Sequence, residues 1–229
     1  MKTLTSPNPV LLTLGCGAAL LLQGCGAPGL KYRATDGRTV NIGLPTAANG
    51  GQEYKTPHLD GCWIADGFNF NGYDTVYVAP VESTAKFNEN EVMPHGEAQK
   101  NLVRQLAGSL EDTGLFKEVV MKEPESSPGT RRLKLENTIV EYAKGGGAAR
   151  YWAGLYGAGQ PRLRVEGKLM DGDKAVFTYK AFRSGTSAGA RMGGAFMKDV
   201  DIQLEDIRSM VLDLTDFIKA IAGKYEPLN

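Results

Sequence analysis

Histidine is scarce in this chain: His58 and His95 are the only two among 229 residues. A zinc site needs three or four ligands from His, Cys and carboxylates, and the one close pair, His58 with Cys62, supplies two. Both histidines also precede Ser187, which sits in Gly185-Thr186-Ser187-Ala188-Gly189. That pentapeptide matches G-x-S-x-G, but a nucleophile elbow needs a helix after the serine and a histidine later in the chain. The residues after Gly189 are "ARMGGAF", a loop composition. An excess of charge of one sign is also missing. Lys plus Arg number 26 and Asp plus Glu 26, interspersed without long runs, so the sequence lacks the electrostatic footprint of a nucleic-acid binder. Repeats of solenoid length are absent. A phosphate loop is absent too. "KGGGAARYWAGLYGAGQPRLRVEGKL" (144–169) is rich in glycine, yet it holds neither a Walker pattern nor a complete G-x-G-x-x-G. Pro161 there opens a strand, whereas a phosphate loop must open a helix.

Cysteine is sparse as well, with three in the chain, and the position of each is informative. The N-terminus, "MKTLTSPNPVLLTLGCGAALLLQGC", carries Lys2 and then an apolar stretch from Val10 to Leu22. That is the length of a secretory h-region and too short to span a bilayer. It ends in Leu22-Gln23-Gly24-Cys25, which resembles the bacterial lipobox: an apolar residue, a variable one and a small one before the lipidated cysteine. Cys16 is the weaker candidate, since it would shorten the h-region to Val10–Leu14. Residues 1–24 are therefore expected to be a lipoprotein signal peptide and Cys25 the acylated N-terminus of the mature chain. Several acyl chains together make a lasting membrane anchor where one holds only marginally. Gly26 follows Cys25; in enterobacterial sorting an Asp there would retain the protein at the inner membrane. The expected location is the outer membrane, facing the periplasm. With Cys16 removed and Cys25 acylated, only Cys62 remains, and the mature domain has no internal disulfide to form.

Residues 25–72 read as a tether and irregular lead-in, dense in Gly, Asn, Asp and Pro, with Trp63, Phe68 and Phe70 expected to dock on the domain. From 73 to 229 the pattern sharpens. "DTVYVAPV" (74–81) reads as a strand. In 96–114, Ala98, Leu102, Val103, Leu106, Ala107 and Leu110 share one helical face, and Gly114 supplies the stop. "FKEVVMK" is a short strand, so strand, helix and strand predict a parallel crossover. Residues 132–142 form a further strand. "RLRVEGKLM" alternates, with Leu163, Val165 and Leu169 on one side and Arg162, Arg164, Glu166 and Lys168 on the other. "DGDK" turns it into a hairpin with "AVFTYKAFRSG". Val200, Leu204, Ile207, Val211, Leu214, Ile218 and Ile221 then form an apolar helical stripe. The expected fold is a two-layer α/β domain, β-α-β-β-β-β-α, with one mixed sheet and two helices.

No catalytic, cofactor-binding or metal-binding residues emerge. Cys62 reads as a packed thiol, and Glu136, Glu141 and Glu166 as solvated strand carboxylates. The block Arg150, Tyr151, Trp152 and Tyr156 is too apolar for a solvated linker: its rings either fold back over the edge of the sheet and close the core, or form the candidate interaction surface.

The segments "LEDTGLFKEVV", "TIVEYAKGGGAARYWAGLYGAGQPRLRVEGKLMDG" and "FRSGTSAG" together resemble the bacterial lipoprotein family called domain of unknown function 4410. The shared features are Thr113–Phe116 at a helix end, Gly145–Arg150, Gly157–Gly159 and the Asp171-Gly172 turn. The resemblance spans about 74–222 and implies no catalytic residues. The reading that results is a non-enzymatic, lipid-anchored envelope protein without a cofactor. Its domain binds a protein partner, itself or an envelope polymer, and no nucleic acid. An accessory lipoprotein of a transport or secretion assembly is the alternative, and a hydrolase using Ser187 or Cys62 a distant third.

Overall fold

A computed structural model describes residues 29–86, 95–125, 129–143, 161–184 and 199–228. The expected order is present in the second part of the chain: β6 (Thr75–Val78), α1 (His95–Glu111), β8 (Glu118–Val120), β9 (Arg132–Ala143), β10 (Arg162–Asp171), β11 (Lys174–Arg183) and α2 (Asp199–Ile221). The sheet is mixed. β6 runs parallel to both β8 and β9, while β9, β10 and β11 are antiparallel neighbours. A two-residue strand, β7 (Glu82–Ser83), pairs alongside β9. The hairpin turn falls at Gly172-Asp173, flanked by the Asp171–Lys174 pair.

The alternation in β10 sets its faces. Leu163, Val165 and Leu169 are buried, and Arg162, Arg164 and Lys168 are exposed. On α1, Ala98, Leu102, Leu106 and Leu110 are fully buried at four-residue spacing, which is the stripe an amphipathic helix turns to a core.

The N-terminal part differs from expectation. Residues 29–65, read from sequence as tether and lead-in, hold five strands: β1 (Gly29–Arg33), β2 (Thr39–Gly43), β3 (Thr46–Ala48), β4 (Gly51–Tyr54) and β5 (Gly61–Ala65). β5 pairs with β11, so β3, β4 and β5 extend the main sheet to the order β3-β4-β5-β11-β10-β9-β6-β8. β1 is the middle strand of a second, three-stranded sheet, between β2 and β12 (Glu226–Leu228). These strands are three to five residues long and rich in turn-formers. Their extended state comes from pairing with one another and, through β5, with the long β11, a tertiary effect that local propensity does not reveal.

The docking of Trp63, Phe68 and Phe70 is as expected, and the core explains it. Tyr54 meets Phe217 edge-on at 5.5 Å, Phe217 stacks on Phe177 at 5.9 Å, and Phe177 meets Phe70 at 5.6 Å. This chain of rings runs from β4 through α2 to β11 and on to Phe70, giving both parts of the chain one core.

Candidate functional site

The densest polar chemistry among the described residues lies where α2 passes under the small sheet. Asp213 and Asp216 are one helical turn apart on α2, so both carboxylates point to the same side. Asp216 is buried. It accepts from the Arg38 Nη1 at 3.0 Å and from the Tyr225 hydroxyl at 2.5 Å. Arg38 sits in the turn between β1 and β2 and is also held by Asp36, Nε to Oδ2 at 2.5 Å. Two arms of the small sheet, the β1–β2 turn and the residue before β12, thus converge on one carboxylate.

Asp213 is paired with Arg183, which stands at the inward phase of β11 after Phe177, Tyr179 and Ala181. The guanidinium is nearly saturated. Its Nη1 donates to the carbonyls of His58 at 2.6 Å and Phe182 at 2.9 Å, its Nη2 to Asp213, and its Nε to the Ser209 hydroxyl at 3.4 Å. Burial pushes the Asp213 carboxyl upward, and the Arg183 charge opposes it. A small cavity of about 70 Å³ remains here, lined among others by Arg38, Thr56, His58, Asp213 and Asp216. It holds about a water or two; of its charged groups, Arg38 and Asp216 are paired with each other and Asp213 with Arg183 beside it. The arrangement fastens α2 to β11 and to the small sheet.

Sequence reasoning missed Arg38, Arg183, Asp213, Asp216 and Tyr225. One signal was legible: Arg183 falls on the apolar phase of a strand, where an unpaired charge would be costly.

Cys62 lies on β5 and is buried, 1% exposed. Burial pushes its thiol well above the ordinary range, which disfavours the thiolate that a nucleophile or metal ligand requires. Among the described residues no three His, Cys, Asp or Glu groups lie together as a metal site would need. Glu136, Glu141 and Glu166 are paired across the outer face of the sheet: Glu136 with Lys134 at 2.7 Å and Lys168 at 3.1 Å, Glu141 with Arg164 at 3.5 Å, and Glu166 with Lys180 at 3.4 Å. Lys134 and Lys168 hold the Glu136 carboxyl below its usual value. The charges of this face therefore alternate in sign and cancel locally.

Cys25, Ser187 and the block Arg150, Tyr151, Trp152 and Tyr156 lie outside the described residues. The structure does fix the ends between which that block is strung. Ala143 at the end of β9 is paired directly with Arg162 at the start of β10. Among the described residues no helix is long and apolar enough to cross a membrane.

A family model described as "Domain of unknown function (DUF4410)" matches residues 74–199, more than half of the chain. No curated protein matches. Several solved structures are similar at low identity. A PelC dodecamer from Paraburkholderia phytofirmans is 15% identical with a TM-score of 0.43, covering 66% of this chain and 96% of that one. A Xanthomonas campestris protein of the DUF330 family is 14% identical with a TM-score of 0.37, covering 66% and 86%. A DUF4136 protein from Bacteroides thetaiotaomicron is 12% identical with a TM-score of 0.34, covering 71% and 95%.

Proposed function

The chain belongs to the family described as domain of unknown function (DUF4410), and we propose that it is a non-enzymatic lipoprotein of the bacterial envelope. It is anchored through Cys25 to the outer membrane, and its α/β domain faces the periplasm to bind a protein partner or a second copy of itself. The observation that carries the anchor is the apolar run Val10–Leu22 ending in Leu22-Gln23-Gly24-Cys25. The decisive measurement is incorporation of labelled palmitate in cells. Wild type is expected to take up label and to fractionate with the outer membrane. Cys25→Ser is expected to take up none and to accumulate as precursor. Label that persists in Cys25→Ser overturns the assignment.

The binding role is supported by the connection between β9 and β10. Neighbouring antiparallel strands can be joined by two to five residues. Here the chain from Ala143 to Arg162 is far longer and carries Arg150, Tyr151, Trp152 and Tyr156. Length beyond what a hairpin needs, filled with rings that have polar tips, suits a contact surface. Trp152→Ala should leave the unfolding midpoint unchanged and abolish crosslinks formed in intact cells. Lost stability with unchanged crosslinks would instead make these rings part of the core.

A further inference from the structure

The expected tether between anchor and domain is almost wholly consumed by structure. β1 begins at Gly29, so only Gly26, Ala27 and Pro28 separate it from Cys25. A fully extended chain gains at most about 3.6 Å per residue, which limits the reach from Cys25 to Gly29 to roughly 14 Å. A domain on so short a leash cannot turn every face to the bilayer. The corner that carries Gly29 is held there.

The composition of that corner fits such a position. Gly29 pairs with Gly43 at the end of β2, and the Gly43 amide donates to the Lys55 carbonyl at 2.7 Å. Three backbone segments meet closely: a Cβ at position 43 would collide with the Lys55 carbonyl oxygen. Next to these glycines stand Leu30, 36% exposed, and Leu44, 49% exposed. They are two of the four large hydrophobic side chains exposed among the described residues, and the other two, Met121 and Leu212, lie just past β8 and on α2. Lys31 follows Leu30, and Lys55 lies across from Gly43; both lysines are exposed. Apolar side chains flanked by lysines match the chemistry of the lipid headgroup zone, where apolar tips bury among acyl chains and ammonium groups meet phosphates.

We infer that the anchored protein seats this corner on the bilayer that holds its own lipid, with Leu30 and Leu44 in the headgroup region and Lys31 and Lys55 beside lipid phosphates. The inference rests on acylation of Cys25. Its consequence is a domain with a fixed heading: the end of the small sheet that carries Gly29 and Gly43 lies at the membrane, on the side of the β3–β4 edge of the large sheet and not of its β8 edge.

The test uses the full lipidated chain in vesicles of phosphatidylethanolamine and phosphatidylglycerol. Leu44→Cys carries an environment-sensitive nitrobenzoxadiazole label, and Met121→Cys, 53% exposed at the native residue, serves as the distal comparison. Palmitate incorporation is measured on the same preparations. The expected result is a blue-shifted emission at position 44, lost on adding Leu30→Glu, and a water-like emission at position 121. Palmitate present with water-like emission at both positions overturns the seating and leaves the anchor intact. Blue shifts at both positions overturn it as well, since the domain would then have no fixed heading. Palmitate absent from both overturns the anchor, and the seating with it.

Discussion

Both sheets are fastened to α2 through a carboxylate, the large one by Arg183 on Asp213 and the small one by Arg38 and Tyr225 on Asp216, but in different balance with apolar packing. The large sheet meets the helix through a packed apolar layer in which Ile207, Met210, Val211, Leu214, Phe217 and Ile218 are all buried. The small sheet meets it also through a carboxylate, with Arg38 and Tyr225 both bound to Asp216. Apolar packing is non-directional and tolerates small shifts. A buried carboxylate with two donors accepts one geometry and is penalised when either donor leaves. The large sheet therefore holds the helix by cohesion as well as alignment, and the small sheet chiefly by alignment.

The strongest way to break this contrast is on the cohesive side. Phe217→Ala removes the ring that bridges Tyr54 and Phe177 and should cost about 3–5 kcal/mol, seen as a lower denaturant midpoint for the whole protein. A smaller and more local effect is expected on the other side. Arg38→Ala leaves Asp216 with Tyr225 as its remaining partner and should cost about 1–3 kcal/mol. Hydrogen exchange should quicken in β1, β2 and β12 while α1, β9 and β10 keep their protection. Uniformly quickened exchange would show that the small sheet is no separate unit. Weaker still, Glu136→Gln breaks only solvated pairs on the outer face and should change stability by less than about 1 kcal/mol, an effect that added salt removes. Last, Cys62 should react with iodoacetamide in the native state only at the rate at which the chain opens, because burial holds the thiol protonated. Rapid native alkylation would place β5 outside the core.

How much of this was legible in the sequence depends on the residues asked about. β10 is plain because Leu163 to Lys168 alternate without interruption, and α1 because its stripe repeats at helical spacing. The stripe expected on α2 holds only in part. Val200, Leu204 and Ile221 are half-buried, while Ile202, Met210 and Phe217, which lie off that stripe, are buried. The helix touches α1 as well as β2, β10 and β11, so all but the narrow face of Asp201, Arg208 and Leu212 is covered and no single stripe can describe it. The five short N-terminal strands were illegible for a related reason. Gly51 is a turn-former by composition, yet it belongs to β4 because the Trp63 ring lies over it, donating to the Ala48 carbonyl at 2.9 Å. Family membership and the two-layer α/β class were readable; the clamp at Asp216 was not, since it joins Arg38 to a helix far along the chain.

The pairing of β1 with β12 also bears on the order in which the molecule assembles. Arg33 lies opposite Glu226, so nearly every other element must be synthesised before the middle strand of the small sheet gains its second neighbour. Contacts of such separation meet their loop-closure entropy late. During synthesis β1 therefore meets β2 early as a hairpin and waits, half-paired, for β12 to latch it.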